Sequence, residues 1–207
     1  MRPQTLAAVS RRSIDPLDRL LDEAEGYLIL GLPAASARLL ESRPHWTARR
    51  ARWAFLKGWT LKRQGDLRAA VSLLEEALRL DPGQFEAGLM LAWCHRRTHR
   101  LAQAIDDLES LKPIAPTSAR LRYNLACYWS LACCPRKAVV ELETALMLRP
   151  HWIARALREP DFDPIRNDPH FLRIIPFAPP TLATEPAANS NGPLHANLKS
   201  NASGTDH

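Results

Sequence analysis

No run of 18 apolar residues occurs anywhere in the 207-residue sequence, which excludes a membrane-spanning helix. The apolar patch at residues 6–9 is too short for a signal-peptide core, and Arg11 and Arg12 follow it directly. A cytoplasmic protein is expected. Cysteine is sparse: Cys94, Cys127, Cys133 and Cys134 are the four present, too few for a disulfide-built secreted domain. Reduced thiols are expected. The phosphate-loop, G-x-S-x-G, H-E-x-x-H and dinucleotide patterns are all missing, so no catalytic role and no cofactor is expected. Acidic residues are missing from one stretch in particular. Residues 43–63 hold seven Arg or Lys and no Asp or Glu, within a chain of net charge +6. The acids collect elsewhere, as at Glu75, Glu76, Asp106, Asp107, Glu141 and Glu143, so charge is sorted by element.

What the sequence does have is a period. Pro82, Pro116 and Pro150 are spaced by 34, as are Ala70, Ala104 and Ala138. The same step joins Val71, Ile105 and Val139; Leu74, Leu108 and Leu142; Ala77, Leu111 and Ala145; and Gly58, Ala92 and Ala126. Small residues in two of these columns let antiparallel helices approach closely. Larger apolar residues one turn later fill the space between pairs. The proline ends each second helix. Each unit is a helix hairpin with apolar faces on both sides, so units must stack to bury them.

With these columns the chain resembles the tetratricopeptide repeat (TPR) family, in the form seen in bacterial proteins with a C-terminal capping element. Residues 51–84, 85–118 and 119–152 fit its register. Ala54, Gly88 and Arg122 depart from it where an aromatic is usual, and Lys57 takes an apolar place. The resemblance implies an all-α, right-handed superhelix of stacked hairpins. Three repeats are clear, and residues 17–50 form a degenerate fourth at the N-terminus. There Gly31 precedes Gly65 by 34, Ser36 replaces the alanine, and Pro44 comes four residues early. The helix after it is expected to begin early, near Thr47. The word RPHW, at 43–46 and again at 149–152, marks these helix boundaries rather than a site used twice. Its copies are 106 residues apart, which is not a multiple of 34.

Residues 153–175 are read as a cap. Asp168 and Pro169 have the form of a helix start, and Phe162, Ile165, Phe171, Ile174 and Ile175 are apolar enough to cover the last hairpin. The alternative is a docking motif. The helical domain is thus expected over 15–175, with a flexible 1–14 and a proline-rich, disordered 176–207.

The family resemblance places positions 2, 5, 9, 12 and 13 of each first helix on a concave groove. Carried over, and with Asn124 adjacent, these include Arg52, Phe55, Trp59, Lys62, Arg63, Trp93, Arg96, Arg97, Arg120 and Tyr123. Such a groove is basic and aromatic, with Trp59 and Trp93 stacked along it. It suits a protein or peptide that is acidic or carries a free carboxylate. The other reading of the same residues is that the aromatics are core and the charges a solvated face. The carboxylate clamp of chaperone-binding members is not matched, because Phe55, Trp59 and Met90 stand at its polar places.

The leading expectation is therefore a non-catalytic protein–protein interaction scaffold. A second is single-stranded nucleic-acid binding through 43–63, where Trp46, Trp53, Phe55 and Trp59 interleave with the cations. A third, disfavoured, is a metal site at Cys94, His95 and His99, since His99 closes a helix, two arginines intervene and no acidic residue lies close by in sequence to support it; Asp106 and Asp107 are read as exposed, solubilising carboxylates and not as catalytic ones.

Overall fold

The computed structural model describes residues 15–42 and 47–174. Residues 1–14, the first RPHW at 43–46, Ile175 and the 176–207 tail lie outside them. The expectations for both ends and for an early stop at Pro44 fall there too.

Among the described residues the structure is helical, with no strand. Four hairpins follow one another: α1 (Pro16–Ile29) with α2 (Pro33–Glu41), α3 (Arg50–Gln64) with α4 (Leu67–Leu80), α5 (Phe85–Arg97) with α6 (Leu101–Ser110), and α7 (Ala119–Leu131) with α8 (Pro135–Leu148). They stack in sequence order through α2 on α3, α4 on α5 and α6 on α7. The result is the helical-repeat solenoid that the columns imply. After α8 come a 3-10 turn at Pro150–Trp152, α9 (Ile153–Arg158), a 3-10 segment at Pro160–Ile165 and α10 (Pro169–Leu172). Helicity after the undescribed 43–46 begins with a 3-10 turn at Thr47–Arg49.

The columns explain the packing. Ala70, Ala104, Ala138, Leu74, Leu108 and Leu142 are all fully buried. A Cβ at Gly58 would sit 3.0 Å from the Leu74 side chain, so α3 and α4 meet where glycine is needed. In the degenerate unit, Ser36 is buried yet satisfied. Thr60 donates its hydroxyl proton to the Leu56 carbonyl at 2.8 Å, which leaves Ser36 to donate to Thr60 at 3.1 Å. Lys57, out of place in the family pattern, lays its stem along the core and pairs its ammonium with Glu41. Helix starts are capped by Asp15, Asp66, Ser118 and Asp168, each accepting from a backbone N–H two or three residues on.

The backbone keeps the period more faithfully than the side chains do. Gly31, Gly65, His99 and Cys133 follow at steps of 34, and all have positive φ, at 77°, 92°, 62° and 54°. Each turn closes with the same six-residue hydrogen bond: Leu32 to Tyr27, Asp66 to Leu61, Arg100 to His95 and Cys134 to Trp129, at 2.8–3.0 Å. The first hairpin therefore turns like the others. A left-handed backbone costs an L-residue about 1–2 kcal/mol, partly offset by the extra freedom glycine loses on folding. Cys133→Gly is accordingly expected to stabilise the chain by about 0.5–1 kcal/mol, read as a higher urea midpoint at unchanged slope.

Candidate functional site

The face that the register assigns to the groove lies on the first helices of the hairpins, α1, α3, α5 and α7. These first helices also abut one another, α1 on α3 and α3 on α5. That contact decides which side chains remain available. Phe55 and Trp59 are 8% and 6% exposed and pack on each other with ring centroids 6.0 Å apart. Tyr123 and Asn124 are 2% and 3% exposed. These four are core residues rather than groove surface, which corrects the expectation for them. Positions 5 and 9 are covered where a neighbouring element closes over them.

The cations are also less free than the sequence implied. Arg52 bonds Asp22 at 2.6 Å and Glu25 at 2.9 Å, both on α1. Arg49 bonds Asp18 at 2.6 Å, and this contact holds the Asp18 carboxyl below its usual range. Arg50 does the same to Glu76 from 2.6 Å. Arg120 pairs with Glu86. A cleft of about 580 Å³ at the start of α3 is walled by Arg49, Arg50 and Arg52 but also by Glu25 and Asp81. Arg49, Arg50, Arg52 and Lys57 of the acid-free stretch are therefore paired with acids elsewhere in the chain. Trp53 donates its indole N–H to the Leu40 carbonyl at 3.2 Å. Phe55 and Trp59 are buried, so among the described residues of the segment these two rings offer no open face on which a single-stranded base could stack. The missed partners Asp18, Asp22 and Glu25 form an i, i+4, i+7 row, legible once α1 is aligned as a first helix.

At the C-terminal end the chain packs back on its own first helix α7. The Pro160–Ile165 segment lies against α7. Phe162, fully buried, meets the Tyr123 ring edge-on at 5.8 Å, and Trp152 of the second RPHW meets it at 5.6 Å. Asp161 reaches past α7 to pair with Arg96 on α5, and the Arg96 guanidinium also lies 5.7 Å from the Tyr128 ring centre. Burial raises the Asp161 carboxyl above its usual range although Arg96 opposes the shift. Burial under this segment likewise pushes the Cys127 thiol well up.

Lys62, Arg63, Trp93 and Arg97 lie on α3 and α5. Lys62 places its ammonium 4.1 Å from the centre of the Trp93 ring, and the Arg97 guanidinium lies 5.7 Å from the same ring. Arg63 and Arg97 are exposed; Lys62 and Trp93 are half-buried. Burial, with Arg63 nearby, lowers the Lys62 amine to about 8.

The histidines separate. His95 is 4% exposed and shares Nδ1 with Asp107 at 2.7 Å, whereas His99 is exposed in its left-handed turn. Asp107 is not a free solubilising carboxylate, contrary to expectation: burial against α5 raises it above its usual range. Among the described residues no group of three or more His, Cys, Asp or Glu could hold a metal. Among them, too, no helix is long and apolar enough to cross a membrane.

Residues 61–126 match the tetratricopeptide repeat family. Several solved structures share the fold. The MamA RS-1 ArsTM double mutant is 21% identical, with a TM-score of 0.65 over 78% of this chain and 91% of its own. MamA AMB-1 is 18% identical, with a TM-score of 0.64 over 78% and 88%. YrrB, described as a TPR protein with an unusual peptide-binding site, is 16% identical, with a TM-score of 0.59 over 68% and 73%. None of the curated proteins compared with the chain matches it significantly. The 34-residue register and the stacked hairpins carry the fold of a tetratricopeptide-repeat solenoid beyond the matched residues 61–126.

Proposed function

We propose that the chain is a non-catalytic interaction scaffold that binds an acidic peptide segment of a partner protein on its inner face, at Lys62, Arg63, Trp93 and Arg97. One observation carries this reading: these residues form the part of the inner face where cations meet an aromatic ring without a carboxylate among the described residues to neutralise them. Arg52, Arg96 and Arg120 have spent their charge on Asp22, Asp161 and Glu86. Arginine and tryptophan supply much of the energy at protein interfaces, and exposed arginines select carboxylates. The peptide-binding description of YrrB is consistent with such a use of the fold.

Selection of a displayed random-peptide library on the folded chain tests this. Acidic sequences are expected to be enriched, and the enrichment is expected to vanish with Arg63→Glu/Arg97→Glu. Both residues are exposed, so that variant should keep its helicity by circular dichroism. No enrichment, or enrichment that survives the double reversal, overturns the reading.

A further inference from the structure

Cys94 and Cys127 keep the usual habit of a free cysteine and are buried. Burial pushes the Cys94 thiol up to about 11 and the Cys127 thiol well above its ordinary value. Both are withdrawn from thiol chemistry. Cys133 and Cys134 are the opposite case. They stand side by side in the turn between α7 and α8, Cys133 exposed and Cys134 half-buried.

Neither serves the turn. In the hairpin of α3 and α4 the same two places hold Gly65 and Asp66. There glycine takes the left-handed backbone freely, and Asp66 caps the helix by accepting from the Ala69 N–H at 3.1 Å. Cys133 takes that backbone at a φ of 54°, and the Cys134 side chain caps nothing at the start of α8. His99 bears the same backbone burden, but without a second thiol beside it. Two residues set against local preference at one solvent-facing point are the pattern of a functional position.

The backbone beneath the pair is fixed. Cys133 donates its N–H to the Ser130 carbonyl at 2.8 Å, Cys134 donates to the Trp129 carbonyl at 2.9 Å, and Pro135 follows at the first helical position. Adjacent Cα atoms lie about 3.8 Å apart, below the roughly 4.4–6.8 Å that an unstrained disulfide spans. A direct bond between neighbouring sulfurs is therefore strained. An atom inserted between them widens the ring and relieves that strain. Among the described residues no group of three or more His, Cys, Asp or Glu could hold a metal, so the pair offers two ligands where a structural zinc ion takes four. The centre that fits is soft enough to prefer sulfur and asks the protein for two ligands only.

We infer that Cys133 and Cys134 form a dithiol site for trivalent arsenic bearing one organic group. With an arylarsenic oxide, two As–S bonds form while two S–H bonds and the As–O double bond break. The two protons leave with the oxygen as one water. Arsenic stays trivalent, and no electron is transferred. The exposed Cys133 reacts first, and Cys134 closes the ring within the molecule. A monothiol that opens one As–S bond leaves the other in place, and the freed sulfur recloses from its high local concentration.

The reduced full chain is incubated with phenylarsine oxide, treated with excess 2-mercaptoethanol and weighed intact by mass spectrometry. One phenylarsenic group per chain is expected to remain, and 2,3-dimercaptopropanol should remove it. Cys133→Ser and Cys134→Ser should each lower the retained adduct at least tenfold, whereas Cys127→Ala should leave it unchanged. Both serine variants fall in the turn, and serine is a favoured residue before a helix, so helicity by circular dichroism should hold. The inference is overturned by no adduct, by one that the monothiol strips, or by one that joins two chains. It is equally overturned by an adduct that survives either serine substitution or is lost with Cys127→Ala.

Discussion

Replacing Phe162 with alanine is expected to lower the unfolding free energy by about 3–5 kcal/mol, the range for emptying a buried aromatic site. Phe162 is fully buried, lies edge-on to Tyr123 at 5.8 Å and sits 5.4 Å from Phe171. It therefore joins three elements: α7, its own 3-10 segment and α10. Losing it leaves a cavity that neither ring partner can fill without leaving its own contacts. The loss should be polarised. The core around α7, α8 and the cap is one cluster and that around α1 to α4 another, with α5 divided between them. Undocking the 3-10 segment uncovers Cys127, now 2% exposed and held as a neutral thiol by burial. A thiol reagent should find Cys133, already exposed, at the same rate in both proteins. Cys127 should react markedly faster in the variant, as located by mass spectrometry of the labelled peptides. A variant as stable as the parent, with Cys127 still protected, would show that the segment lies on α7 without holding it.

Glu141→Ala is expected to cost about 2–3 kcal/mol. Glu141 on α8 is 6% exposed and accepts from Arg122 of α7 at 3.0 Å and from Lys112, just past α6, at 2.5 Å. One carboxylate thus ties three successive elements together. Removing one member of a buried pair strands the others, which costs about 3–5 kcal/mol when both are sealed. Lys112 and Arg122 keep 27% and 20% of their side-chain surface in water, so the figure is reduced. Replacing all three charges with apolar residues of similar size should come closer to neutral than the single substitution, because no stranded charge remains. Urea unfolding of the single and triple variants checks both figures. Equal losses would mean that Glu141 acts through its volume and not its charge.

The candidate site was legible in part. Lys62, Arg63, Trp93 and Arg97 follow from the repeat register alone, and the structure brings Lys62 and Arg97 to the Trp93 ring. Phe55, Trp59, Tyr123 and Asn124 came from the same register and are buried. Register states which way a side chain points from its own helix and is silent on what closes over it. Phe55 and Trp59 pack on each other within a core shared by α1 to α5; Tyr123 is met by the returning segment with Phe162. The acid-free run read as a basic surface because composition counts neighbours in sequence. Its partners Asp18, Asp22 and Glu25 lie 27–31 residues upstream of the arginines they bond.

The sequence by itself determined the hairpins, their period and the closure of their turns. These rest on interactions within one helix or between consecutive helices, and the residue types recur every 34 positions. The recurrence survives at Cys133 and His99, where the turn keeps its left-handed backbone without a glycine. Only the tertiary structure decided which charges are free. Asp161 meets Arg96 across 65 residues, a pairing that no local pattern encodes. Charge neutralisation depends on distance in space, and stacking hairpins brings together residues whose separation along the chain carries no signal.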